Sequence, residues 1–324
     1  MGIGTSFRNT LSTFLERYDY RAEPHSKDSP LPDGARGFLQ RTNPRFIELQ
    51  RRYATCTEQV TTPLTWTETH VGPEDLVYFR GDNPFVWQLR GPNMNTMSYV
   101  LTTYYVKSLD TLGLLDVLQE DGYFGAHLFS VENKTISRDL LDSIIEIYFL
   151  EKHLNISNSK SLSILDIGAG YGRLGHRMAC GLPNIAQYLC TDAIPLSTFV
   201  SEYYLRFRNV HHKAKVVPLD EIERELQTNA VTIAINIHSF SECKIAAIEW
   251  WIALLARFGI PYLMIVPNAL NHGGERLMTG DRKDFGKVIQ EYGYRQIAKD
   301  PKYRDPAVQE WAINPTYHHL FKLE

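Results

Sequence analysis

The 324-residue sequence predicts an α/β fold whose second half is a mostly parallel sheet with helices on both faces. Three observations predict it. From Ser161 onward, short apolar runs alternate with helical stretches of ten or more residues, the spacing of strands joined by crossover helices. One run, Ser163-Ile164-Leu165-Asp166-Ile167, passes directly into Gly168-Ala169-Gly170-Tyr171-Gly172 and then into a helical stretch. A hydrophobic content of 44% with 22% charged residues is enough to fill the core of such a sheet.

Taken in order, the chain begins with an irregular part. Residues 20–45 are rich in Pro, Gly, Asp and Arg and predict a draped arm. Residues 60–95 carry aromatics among turn residues, including Trp66, Tyr78, Phe79 and Trp87. Helical periodicity follows over 97–118, and again over 137–153, where Leu140, Leu141, Ile144, Ile145, Tyr148 and Phe149 recur three and four apart. Ser137, with Asp139 behind it, is placed to cap the second helix. The expected strands are 163–167, 187–191, 214–218, 231–237, 261–266, 295–298 and 318–323. Helices are expected between them at 194–206, 244–258 and 284–292. The chain thus divides into an arm with a helical substrate or lid subdomain, 1–155, and a sheet domain, 156–324. Gly122 and Gly125 around Tyr123-Phe124 suggest a hinged lid.

Charge and cysteine usage exclude several classes. A net charge of −3 supplies no positive field for phosphates, so no nucleic-acid partner is expected. The basic stretch from Arg206 to Lys215 is expected to be a solvated helix end. No apolar run approaches the ~20 residues of a membrane span, and the N-terminal stretch lacks the apolar core of a secretory leader. Cys56, Cys180, Cys190 and Cys243 are scattered, the usage of a reducing, cytoplasmic compartment and not of a disulfide or zinc framework. Nothing in the sequence sets the oligomeric state, a homodimer included.

The glycine run is where a ligand should sit. Glycines let the backbone turn sharply and let a ligand approach where a Cβ would block it, and the helix beyond offers free N–H groups. Gly170-x-Gly172-x-x-Gly175 matches the dinucleotide pattern, but that match alone is weak. Asp166, two residues before the first glycine, suits a cofactor with a cationic amino-acid end, whereas a pyrophosphate gains nothing from an anion there. S-adenosylmethionine is therefore favoured over a dinucleotide. Asp192, closing the second strand, is placed to accept the ribose hydroxyls or else to cap the next helix. Asp220, after the third strand, is a candidate for the adenine amino group.

With these residues in view, the sequence resembles the class I S-adenosylmethionine-dependent methyltransferases through Asp166-x-Gly168-x-Gly170-x-Gly172 and Asp192. Further phrases resemble a bacterial sugar O-methyltransferase family: Phe79-Arg80-Gly81-Asp82-Asn83, Ser137-Arg138-Asp139-Leu140-Leu141-Asp142-Ser143, Ile164 to Leu174, and Asn236-Ile237-His238-Ser239-Phe240-Ser241-Glu242. The resemblance covers residues 75–324. It implies a Rossmann-like, seven-stranded sheet with an antiparallel last strand, a cofactor site that includes Asn236, and methyl transfer to a saccharide hydroxyl.

Alcohol methylation benefits from a base near the glycine loop. His238 and Glu242, after the fourth strand, are the first candidates: His238 as base, Glu242 to orient the ring or hold a sugar hydroxyl. His272 is the reserve, beside Asn268 and Asn271 after the fifth strand. Ser239 and Ser241 are expected to cap the helix near Lys244. Asp281, Arg282, His272 and Glu242 could hold a divalent ion, although their spacing does not demand one. Trp66, Tyr78, Phe79, Trp87 and Tyr123 could form a sugar-stacking wall or a core. Three other functions stay open: methylation of another small hydroxylated metabolite, a dinucleotide oxidoreductase, and a cofactor-binding scaffold without activity.

Overall fold

A computed structural model describes residues 22–23, 29–62, 71–81, 96–269 and 272–324. Trp66, Asp82, Asn83, Trp87 and Asn271 lie outside the described residues.

The strands are β1 (Ala22–Glu23), β2 (Leu128–Val131), β3 (Lys134–Ile136), β4 (Leu162–Ile167), β5 (Ile185–Thr191), β6 (Ala214–Val216), β7 (Ile233–Ile237), β8 (Tyr262–Val266), β9 (Tyr294–Pro301) and β10 (Tyr317–Leu323). The helices used below are α1 (Pro44–Tyr53), α2 (Glu58–Thr61), α3 (Thr96–Leu109), α4 (Arg138–Leu154), α5 (Arg173–Gly181), α6 (Pro195–Phe207), α7 (Ile222–Thr228), α8 (Ile245–Arg257), α9 (Gly286–Glu291) and α10 (Pro306–Trp311). All seven strands expected after Ser161 are present, within a few residues at each end. They form one sheet in the order β6-β5-β4-β7-β8-β10-β9. β4 to β8 are parallel neighbours and β10 runs antiparallel to both β8 and β9. This is the seven-stranded, mostly parallel Rossmann-like sheet that the resemblance implied. The order reverses at β4, with β5 to one side and β7 to the other, so the crevice for a ligand opens beyond the carboxyl ends of these strands.

Local rules explain most element ends. The Ser137 side chain accepts a hydrogen bond from the Leu140 amide and starts α4, as expected; Asn155 in the left-handed conformation ends it. The helix expected over 97–118 is instead interrupted, because the Asp110 carboxylate accepts the amides of Leu114 (2.7 Å) and Leu115 (2.9 Å) and starts a new turn after Gly113. The strands β1, β2 and β3 form a small antiparallel sheet that the helical expectation missed. Apolar side chains from Ala35 to Phe321 belong to one contiguous core that crosses position 155 without a break. No helix among the described residues is long and apolar enough to cross a membrane.

A buried ion cluster joins the N-terminal part to the sheet. The Glu120 side chain has no exposure, and it lies 2.7 Å from Arg80 Nη2 and 2.7 Å from Arg177 Nη2. Burial works against its charge, but the two guanidinium groups outweigh burial and pull its pKa down to about 2. The Ser137 hydroxyl also donates to Glu120. Asp121 pairs with Arg80 at 3.2 Å and with Arg208, which removes Arg208 from the solvated basic stretch expected there.

Of the aromatics that could form a sugar-stacking wall or a core, Tyr78 and Phe79 are core among the described residues, and Tyr123 is half-buried. Phe79 is fully buried, and its ring lies 4.6 Å from that of Phe124 and 5.3 Å from that of Tyr171. The Phe124 carbonyl accepts the Arg80 amide, and Phe124 itself has no exposure. Phe124 and Gly125 of the segment expected to act as a lid are thus packed into the core, while Gly122 and Tyr123 are half-buried.

Glu120→Ala should cost about 3–5 kcal/mol of unfolding free energy, the usual penalty for leaving buried charges unpaired. Chemical denaturation of the two proteins measures it; a midpoint shift worth under about 1 kcal/mol would mean that the cluster contributes little.

Candidate active site

Four strand ends build the site, and the first of them carries a long turn. β4 delivers Asp166 and the turn 168–172, in which Gly168, Gly170 and Gly172 all take positive φ (74°, 58° and 86°). A Cβ on Gly168 would sit 2.1 Å from Ser239 Oγ, and one on Gly172 2.8 Å from Ser201 Oγ, so both positions exclude side chains on space as well as on conformation. β5 delivers Asp192, β7 delivers His238, Ser241 and Glu242, and β8 delivers Asn268. They surround a cleft of about 660 Å³, the size of a small-ligand site.

Two acids lie at the base of the cleft without a cationic partner among the described residues. Asp166 accepts the Tyr188 hydroxyl at 2.8 Å; burial pushes its pKa up to about 7, only partly opposed by that bond and by the more distant Arg173 charge. Asp192 accepts the amides of Gly170 (3.1 Å) and Ile194 (2.9 Å), and burial raises it to about 7 as well. Its carboxylate therefore braces the glycine turn. It does not cap α6, whose cap residue is Ile194. Glu242 is a third cleft acid with no ion pair among the described residues; burial raises its pKa, and the Asn268 amide at 3.2 Å opposes the shift.

His238 leaves β7 with φ +67°, a strained conformation for a side chain with a Cβ. Its ring lines the cleft with Nδ1 buried and unpartnered, and burial, then the nearby Arg138 charge, lower its pKa to about 3. The imidazole is therefore neutral at every physiological pH.

Other expected site residues are placed elsewhere. Asp220 is exposed and both its oxygens are held by Arg52 (2.8 and 2.9 Å); it does not line the cleft. Asn236 is fully buried and saturated: its amide donates to the Ile167 carbonyl (2.8 Å) and Ser239 Oγ (2.6 Å), and its carbonyl accepts the Phe240 amide (3.0 Å). It is a strut beneath the glycine turn and does not line the cleft. His272 lies outside the cleft lining; its ring accepts the Arg276 amide at 3.4 Å. Ser241 Oγ accepts the Asn268 amide and Ser239 Oγ donates toward the Ile167 carbonyl, so neither caps α8. Asp281 turns to Thr279 and Lys283, and among the described residues no three His, Cys, Asp or Glu side chains cluster as metal ligands.

Two further cleft residues, Arg138 and Asn314, were not among the candidates for the site. Arg138 pairs with Asp142 (3.1 Å), which also takes the buried Lys302 ammonium (2.6 Å). The same ammonium donates to the carbonyls of Ile313 and Asn314 and holds the turn that brings Asn314 into the cleft, φ +44°. Only the folded β9–β10 connection makes that residue part of the site.

No family model matches the chain. Over 72 residues it is 35% identical to the release factor glutamine methyltransferase of Flavobacterium psychrophilum, a match covering 22% of this chain and 25% of that protein. The chain thus spans about a quarter of the length of that relative. Among solved structures, a magnesium protoporphyrin IX methyltransferase from Synechocystis PCC 6803 with bound S-adenosylmethionine is similar at 12% identity and TM-score 0.41, over 69% of this chain and 97% of that one. An S-adenosylmethionine-dependent methyltransferase from Aquifex aeolicus is similar at 15% identity and TM-score 0.37, over 53% and 87%. The strand order itself defines the fold.

A carboxyl whose pKa rises from about 3.9 unfolded to about 7 folded contributes stability that is full below pH 4 and lost as pH climbs through 7. Asp166→Asn should therefore gain stability over the wild type progressively between pH 4 and 7, with a plateau above. Melting curves of both proteins across that range test it; a difference independent of pH would contradict the buried, unpaired assignment.

Proposed function

We propose that this chain is an S-adenosylmethionine-dependent O-methyltransferase whose acceptor is a hydroxyl of a sugar or glycan. The observation that carries the cofactor is the set of three carboxyls, Asp166, Asp192 and Glu242, gathered around a glycine turn without a cationic partner among the described residues. Such a cleft favours a ligand with positive charge and disfavours a pyrophosphate, which argues against the dinucleotide alternative. Asp166 and the turn 168–172 would hold the amino-acid end and Asp192 the ribose. The group, when bound, supplies a methyl on a sulfonium for in-line displacement, so most of the catalysis is alignment and exclusion of water.

The acceptor side is polar and open. His238, Glu242, Asn268 and Asn314 all line it, and among the described residues no hydrogen bond engages the Asn314 carboxamide. A wall of donors and acceptors suits a polyhydroxylated ring, and it supports the sugar assignment that the sequence phrases imply. The alternative, another small hydroxylated metabolite, fits the same polar wall. Within it, Glu242 is the better proton acceptor. Burial raises its pKa toward the operating range, whereas His238 at about 3 is a weak base suited to accept and orient a hydroxyl.

Calorimetry should show S-adenosylhomocysteine binding and no NADH binding; the reverse result would overturn the assignment. Asp192→Ala should cost about 1.5–3 kcal/mol of that binding, the worth of hydrogen bonds to a charged group. With labelled S-adenosylmethionine and a panel of glycosides and hydroxylated metabolites, label should pass to a glycoside. Glu242→Gln should slow that turnover about 10²–10⁴-fold with S-adenosylhomocysteine affinity retained. Near-normal turnover would return the base role to His238.

A further inference from the structure

A second cavity, of about 240 Å³, lies between α3, α4 and the β9–β10 connection. Arg138 and Asp142 of α4 line the cleft; Ile145, Phe149 and Lys152, continuing at spacings of three and four, line this cavity. One stripe of α4 thus serves both. The buried pair of Asp142 and Lys302 separates them. The carboxylate borders the cleft, the lysine borders the second cavity, and the two groups are 2.6 Å apart. Among the described residues, none lines both cavities.

Arg304, on the lining, is exposed, and among the described residues its guanidinium has no ion pair, hydrogen bond or ring contact. The other lining charges are already matched. Lys152 and His153 both reach Asp300, the Glu151 carboxylate accepts the Ser157 amide and hydroxyl, and Lys302 is taken by Asp142. The cavity therefore carries one unpaired positive charge, at its exposed rim. Tyr105, Leu109 and Pro301, each half-buried, give it apolar surface that a ligand can cover. The buried part of the lining includes His318, 2% exposed. Phe149 packs edge-on against its ring at 5.2 Å, and among the described residues no hydrogen bond engages either ring nitrogen. Burial, and next the Lys302 charge, lower its pKa to about 3, so the imidazole is neutral and offers one donor and one acceptor. A buried polar group without a partner is uncommon in a folded protein.

We propose that this cavity is a second ligand site, for a small aromatic carboxylate that bears a hydroxyl at the opposite end of its ring. Arg304 meets the carboxylate at the rim, Tyr105, Leu109 and Pro301 cover the ring, and His318 takes the hydroxyl. A free guanidinium suits a carboxylate because its planar fork matches the two oxygens. A pyranose is disfavoured, because its ring hydroxyls would be buried against apolar walls without partners. The site is independent of the cofactor assignment, since it shares no lining residue with the cleft.

Calorimetry with 4-hydroxybenzoate, benzoate and glucuronate tests the proposal. 4-Hydroxybenzoate should bind one-to-one with a dissociation constant of about 1 mM or tighter, the same with and without S-adenosylhomocysteine. Benzoate, which lacks the hydroxyl, should bind about fivefold more weakly, and glucuronate more weakly than either. Arg304→Gln should weaken both aromatic acids by the same factor, about five- to tenfold. His318→Phe should remove the advantage of the hydroxyl and leave benzoate unchanged. If that variant does not fold, Arg304→Gln, at an exposed position, decides. Absence of saturable binding, equal affinity of the wild type for the two aromatic acids, or tighter binding of glucuronate would overturn the proposal. So would displacement by S-adenosylhomocysteine, or undiminished binding by Arg304→Gln.

Discussion

The Glu120 carboxylate, fully buried between two guanidinium groups, is the interaction on which the rest of the arrangement depends. Its partners come from distant parts of the chain: Arg80 from the N-terminal part, Arg177 from α5, and the Ser137 hydroxyl from the start of α4. Arg80 also approaches Asp139 at 3.6 Å, and Asp139 accepts the Tyr171 hydroxyl from within the glycine turn. One buried charge thus relates the residues ahead of α4, the start of α4 and the loop after β4. A charge without exposure tolerates few geometries, because each lost contact leaves desolvated charge behind. The position of Arg138 and Asp139 on the cleft wall follows from that constraint.

The cleft shows the opposite economy. Where the cluster pairs every charge, Asp166, Asp192 and Glu242 make no ion pair among the described residues, and burial raises the pKa of all three. Such groups are polarisable by what enters. A positive ligand draws their pKa values down and gains from ionised carboxylates in a low-dielectric setting, whereas an anion meets repulsion. His238 stays neutral beside them, held so by burial and by the Arg138 charge. Paired charge fixes the frame, and unpaired titratable groups are kept for the ligand.

Legibility in the sequence followed the range of the interactions. The seven strands were readable because each is a short apolar run bounded by its own turn, and β4 is buried along its whole length. The Ser137 cap was readable because its bond spans three residues. Asp220 and Asn236 were not, since Asp220 is taken by Arg52, 168 positions away, and Asn236 by the Ile167 carbonyl, 69 positions away. Phe79 and Tyr123 look alike in sequence as core or as ligand wall; only the Phe124 ring against Phe79 decides.

By itself the sequence determined the alternation of strands and helices, the glycine turn after β4, and the acids Asp166 and Asp192 at strand ends. Each depends on the pattern and conformation of neighbours in the chain: period, positive φ, the edge of an apolar run. The tertiary structure alone decided which polar groups remain available in the cleft. It spent Asp220 and Asn236 on internal hydrogen bonds, left His238 unpartnered, and brought Val60 and Asn314 to one cleft from opposite ends of the chain. A hydrogen-bonding group serves a ligand only if no other group has claimed it, and the claimants here are remote in sequence.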